Sequence, residues 1–128
     1  MDKKLRMLLI LLFVLFLSAC SSNHELENSK LGSFTLSATS SFDGKYIADI
    51  STNEYMVAIQ IVDSEKNDIF YFEPVRKRDF WGVCWENDTY NLWIQSGDVG
   101  VICYKFDDGV WIYNPDATRP EYILSKYD

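Results

Sequence analysis

From residue 33 onward the sequence predicts an all-β fold. It reads as an antiparallel meander of about eight short strands, blade-like hairpins packed as a small sandwich or open barrel. Three observations carry this. β-Branched and aromatic residues alternate with polar ones in short blocks, Gly-, Asn- and Asp-containing turns separate the blocks, and no segment sustains an apolar period of 3.6.

The blocks fall at 34–38, 45–51, 56–63, 68–73, 80–85, 91–96, 101–106 and 110–113. The first, FTLSA, and the second, KYIADIS, are joined through Phe42-Asp43-Gly44. MVAIQIVD and DIFYFE follow, linked by Ser64-Glu65-Lys66-Asn67. FWGVCW and NLWIQS meet through Glu86-Asn87-Asp88, and NLWIQS passes to VICYKF through Gly97-Asp98-Val99-Gly100. Asp107-Asp108-Gly109 closes the last hairpin onto VWIY. Gly and Asn supply the positive φ that tight hairpins need, and Asp bonds the free amides of the turn.

A weak repeat runs through this pattern. Ser41-Phe42-Asp43-Gly44-Lys45-Tyr46-Ile47-Ala48 lies over Glu86-Asn87-Asp88-Thr89-Tyr90-Asn91-Leu92-Trp93 at a spacing of 45. The first copy resembles the turn and strand of WD-type β-propeller blades, whose period and four strands per unit match this spacing. The Gly-His and Trp-Asp dipeptides of that family are missing, and two units do not close a ring. Ser96, Asp98 and Gly100 are similar to the Asp-box of sialidase-type β proteins, with the aromatic displaced by one to Tyr104. That resemblance implies a structural hairpin and no activity.

The turns suggest a register. Setting Trp85 opposite Tyr90, and Ser96 opposite Val99, places Trp81, Val83, Trp85, Leu92, Ile94, Val101 and Cys103 on one apolar face. The other face carries Phe80, Cys84, Asn91, Trp93, Gln95, Ile102 and Tyr104. Aromatic residues make up 16% of the chain. The candidate binding face is therefore Trp93 and Tyr104, flanked by Asn91 and Gln95, positioned to stack on a sugar ring or a partner's side chains. The competing use of these aromatics is to build the core of a small β domain.

Cys84 and Cys103 fall on strands with one strand between them, about 9.6 Å apart. A disulfide needs Cα atoms within ~7 Å. The register also points them to opposite faces, so two free, largely buried thiols are expected.

The N-terminal region has a different character. Lys3, Lys4 and Arg6 precede an uncharged apolar run from Met7 to Leu17. As a helix this run is roughly 17 Å long, short of the ~30 Å hydrocarbon core, and it reads as an export signal. It ends in Leu17-Ser18-Ala19-Cys20, which resembles the lipobox of bacterial lipoproteins. The resemblance implies cleavage after residue 19 and a diacylglyceryl group on the Cys20 thiol, holding the protein on the exported side of a membrane. The expected organisation is a signal over 1–19, a lipidated cysteine and polar tether over 20–32, and one all-β domain over 33–128.

Charge and composition narrow the function. The chain has 12 basic and 19 acidic residues; losing the signal would leave 9 and 18. So acidic a domain repels nucleic acid. The one histidine, His24, sits in the tether, where it has no fixed geometry to offer a catalytic triad. A zinc site would need that histidine with two separated cysteines. No phosphate-loop or dinucleotide glycine pattern is present. Asp98, Asp107 and Asp108 are accounted for as turn residues, and the last two supply too few ligands for calcium. No cofactor or metal is expected. The sequence points to a non-catalytic, membrane-anchored binding module whose partner is an envelope protein or glycan. The alternative is a small envelope hydrolase using paired carboxylates, which requires a cleft with two carboxylates within ~10 Å.

Overall fold

The computed structural model describes Lys3, residues 32–78 and 80–125, and Asp128. The predicted signal (Lys3 apart), Cys20 and the tether to residue 31 lie outside the described residues. The strands are β1 (Thr39–Ser40), β2 (Tyr46–Thr52), β3 (Met56–Asp63), β4 (Asp68–Arg76), β5 (Trp81–Trp85), β6 (Leu92–Ser96), β7 (Gly100–Asp107) and β8 (Val110–Asn114). They form two four-stranded antiparallel sheets in the orders β1-β2-β3-β4 and β5-β6-β7-β8. The fold is all-β, and the two sheets pack as a sandwich without closing into a barrel.

Period-2 alternation builds the core. Tyr46 and Ala48 of β2, Val57, Ile59 and Ile61 of β3 and Val75 of β4 face Val83, Trp85, Leu92, Ile94 and Trp111 of the second sheet. Each fully buried Ile or Val there stabilises the fold by about 1.5–3 kcal/mol relative to exposure. β4 runs past the predicted stop at Glu73. Between Val57↔Val75 and Ile59↔Phe72 its residues Glu73 and Pro74 oppose the single residue Ala58. Pro74 has no N–H to give, but β4 is a sheet edge and carries the resulting bulge.

The 45-residue spacing has a structural counterpart. Ser41 N donates to Tyr46 O at 2.8 Å, and Glu86 N donates to Asn91 O at 2.9 Å. The two turns thus close at equivalent positions of the two meanders.

Three expectations need correction. The block at 34–38 is not a strand: Thr35 alone forms a bridge to Val83, and Ser37 N turns back onto Thr35 Oγ1. The register of β7 is also shifted by one residue. Ser96 pairs with Gly100, and Leu92 with Tyr104, in place of Val99 and Cys103. The reason is the turn. Ser96 Oγ accepts from Asp98 N and Val99 N, and the three-residue loop 97–99 is closed by Gly100 at φ 77°, in place of a two-residue turn. Ile102 and Tyr104 therefore face the inter-sheet core, while Val101 and Cys103 face outward. Trp85 pairs with Leu92, not Tyr90, a shift of two that leaves the faces of β5 unchanged.

The hairpins sort to two ends. Turns 41–45, 64–67, 86–91 and 108–109 gather at one end, where Tyr90 Oη donates to Asp43 Oδ2 at 2.6 Å and joins the two sheets. Residues 53–55, 77–78 and 97–99 lie at the other. Thr35 runs antiparallel to Val83, so the chain enters the domain at the first end.

Candidate functional site

The structure does not bring Trp93, Tyr104, Asn91 and Gln95 together on an exposed face. Trp93 and Gln95 are only 3% and 5% exposed. Trp93 packs with Cys84, Cys103 and Ile123, bordered by Phe34, Val101 and Ala117, in a second small core on the outer face of β5–β7. Its indole Nε1 donates to Glu86 Oε2 at 2.9 Å, and Asn91 Nδ2 donates to the same oxygen at 3.2 Å. Asn91 Oδ1 accepts from Phe106 N. Asn91 therefore serves the hairpin framework. Tyr104 lies on the opposite face, its ring 4.7 Å from that of Phe72.

The cover over this face is supplied by both ends of the domain. Phe34 lies so close over Gly82 that a Cβ there would sit 2.8 Å from the Phe34 Cβ. Ile123 docks from the C-terminal segment, where Leu124 N donates to Gly32 O and Asn87 N donates to Tyr122 Oη. The sequence signal was the apolar Tyr122-Ile123-Leu124, which lies outside every predicted strand.

Cys84 and Cys103 are free and buried. Both pair across the sheet with Trp93, so they share one face rather than opposing ones. The intervening strand still keeps them beyond disulfide reach. Burial pushes both thiols up to about 11. A neutral alkylating reagent at pH 8 should leave both intact in the folded protein, and both should react on unfolding without reductant; protection that persists until reductant is added would mean a bridge. Because the folded-state values are raised, these thiols favour the fold at neutral pH. That contribution is lost as pH climbs from 9.0 toward about 11.

Two carboxylates at the chain-entry end, Asp43 and Asp63, are occupied by turn hydrogen bonds. Asp43 Oδ1 accepts from Lys45 N and Ser41 Oγ, and the Tyr90 hydroxyl bonds its other oxygen. The Tyr90 bond is the largest cause holding Asp43 below the usual carboxylate range, and it pushes Tyr90 up to about 12. Phe42 stacks on Tyr90 at 5.4 Å, and Lys45 Nζ lies 5.7 Å from the same ring. Asp63 is lowered chiefly by the Asn67 side chain. Asp108 takes φ 46° and Gly109 φ 86°, the turn role expected of them. Among the described residues no group of three His, Cys, Asp or Glu side chains is placed to hold a metal.

Three shallow grooves are lined by described residues. One of about 400 Å³ lies along β7 and β8 by Lys105, Asp107 and Tyr113, and one of about 290 Å³ lies between Leu36, Phe80 and Trp81. The third, about 420 Å³, sits at the far end from chain entry, between Glu54, Tyr55 and Met56 and the run Arg76-Lys77-Arg78. Each of the three is lined by at most one carboxylate of a described residue. The third groove has a fixed frame. Asn53 Oδ1 accepts from Tyr55 N at 3.0 Å and Met56 N at 2.7 Å, and Asn53 Nδ2 donates to Glu73 Oε1. Lys77 N donates to Tyr55 O at 2.7 Å, tying the turn to the end of β4. Sequence reasoning passed over this site, although Arg76-Lys77-Arg78 is the one run of three consecutive cations in the chain.

No protein-family model, no curated protein and no solved structure matches this chain.

Proposed function

We propose that the chain is a bacterial lipoprotein, anchored to a membrane through acyl chains on Cys20, whose β-sandwich is a non-catalytic binding module of the cell envelope. The observation that carries the anchor is Leu17-Ser18-Ala19-Cys20, standing directly behind a basic start and a short apolar run. The binding role is supported by how the domain uses its side chains. The inner faces of both sheets and the outer face of β5–β7 are committed to packing, which leaves the outer face of the first sheet, the β8 edge and the hairpin ends as the surface with free chemistry. On this reading the tether leaves the domain from its acidic, chain-entry end. Its charge repels anionic headgroups and holds the domain off the surface.

Replacing Cys20 by Ala tests the anchor. Metabolic labelling with a radioactive or clickable fatty acid should mark the parent chain and not the variant, and the variant should accumulate as precursor or leave the membrane fraction. Normal maturation and equal membrane retention of Cys20→Ala would overturn the proposal.

A further inference from the structure

We propose that the groove between Tyr55 and Arg76-Lys77-Arg78 binds the phosphate groups of an anionic, polyol- or sugar-containing envelope polymer. The inference deepens the binding-module reading and rests on it. The site departs from the domain around it. In a chain with an excess of acidic residues, three successive cations project from the end of β4, all exposed. No salt bridge between them and a described residue forms. Arg76 and Arg78 offer planar forks that engage phosphate oxygens through paired N–H donors, and Lys77 adds a mobile point charge.

The opposite wall selects the ligand class. Tyr55 is 69% exposed on a turn pinned by Asn53, so its ring is held outward with little freedom left in the backbone beneath it. Such a ring stacks on the apolar face of a sugar or polyol. Glu54 beside it accepts hydrogen bonds from hydroxyls, and its charge keeps any anionic group, phosphate or carboxylate, to the cationic wall. Cations on one wall and an aromatic with a hydroxyl acceptor on the other suit a phosphate joined to a polyol better than an acidic peptide. The place of the groove in the fold favours a polymer over a lipid headgroup as the source of the phosphate. The chain enters at the far end of the strands, and the eight residues of β3 put roughly 25 Å between that end and the groove. An anchored domain therefore carries the groove on the end opposite its tether, about one strand length from the point of attachment.

The test uses the full chain immobilised through a C-terminal tag and washed free of detergent, so it reads binding whether or not Cys20 carries lipid. Failure to bind and failure to be lipidated are thus separate results. The probes are poly(glycerol phosphate), polyglutamate of matched charge, and phosphatidylglycerol vesicles. Poly(glycerol phosphate) should bind with an affinity that falls as salt rises. The combined Arg76→Gln, Lys77→Gln, Arg78→Gln variant should weaken it by about tenfold or more and flatten the salt dependence. Arg76→Lys with Arg78→Lys keeps the charge and should lose only part, and Tyr55→Ala should weaken poly(glycerol phosphate) while leaving thermal stability unchanged. An absence of binding, equal binding by the triple variant at unchanged stability, or equal or tighter binding of polyglutamate or the vesicles would each overturn the proposal.

Discussion

Replacing Trp111 by Ala should destabilise the domain by about 3–5 kcal/mol, against the roughly 5–15 kcal/mol that folded domains commonly have. Trp111 is 2% exposed although β8 is an edge strand, because its ring closes the space between the two sheets. It lies 5.3 Å from Tyr46, 5.8 Å from Phe70 and 5.0 Å from Phe106, so both sheets contribute to its surroundings. Its indole Nε1 donates to Tyr90 O at 2.7 Å, fixing the 86–91 turn over the core. Trp111→Phe separates the two contributions: it keeps most of the packing but strips the Tyr90 carbonyl of its donor, at about 1–3 kcal/mol. Denaturant midpoints of the two variants decide the matter. A loss below about 0.5 kcal/mol for Trp111→Ala, the range of ordinary surface changes, would contradict the sandwich.

Trp93→Ala should cost a similar ~3–5 kcal/mol, because Trp93 is the centre of the second core and not an exposed platform. Trp81→Ala should cost less, since Trp81 is only half-buried at the rim of the inter-sheet core. This order reverses the one that the sequence suggests. Truncating the cover supplies a second readout. Ile123→Ala removes the C-terminal side chain lying over Trp93, and combined with Trp93→Ala it should lose less than the two single losses added, since both act on one cluster. Equal stability of Trp93→Ala and the parent would return Trp93 to the surface as a binding residue.

Much of the architecture was legible because it depends on local signals. Period-2 alternation located β2, β3 and β5 to within a residue, and Asp108-Gly109 marked its turn by the positive φ that glycine and aspartate tolerate. The faces of β5 and β6 were legible because a shift of two residues leaves alternation intact. The faces of β7 were not. Ser96-Gly97-Asp98-Val99-Gly100 accommodates a two- or a three-residue loop equally well on paper, and the difference is a single residue that exchanges Tyr104 with Cys103. β4 runs past its predicted stop because an edge strand tolerates Pro74 where a central one would not, and edge position is not a property of the strand's own sequence.

The candidate binding face failed for a related reason. Trp93, Gln95 and Asn91 alternate as an outward face should, and their spacing is silent on whether a distant segment covers it. By itself the sequence determined that this chain is all-β, that its turns fall where Asp, Asn and Gly allow them, and that its two further cysteines sit on non-adjacent strands; these follow from backbone preferences acting over a few residues. Only the tertiary structure decided which faces are buried. That depends on contacts such as Phe34 on Gly82 and Ile123 near Trp93, made between residues about 30 to 50 positions apart, where chain closure and not local propensity sets the outcome.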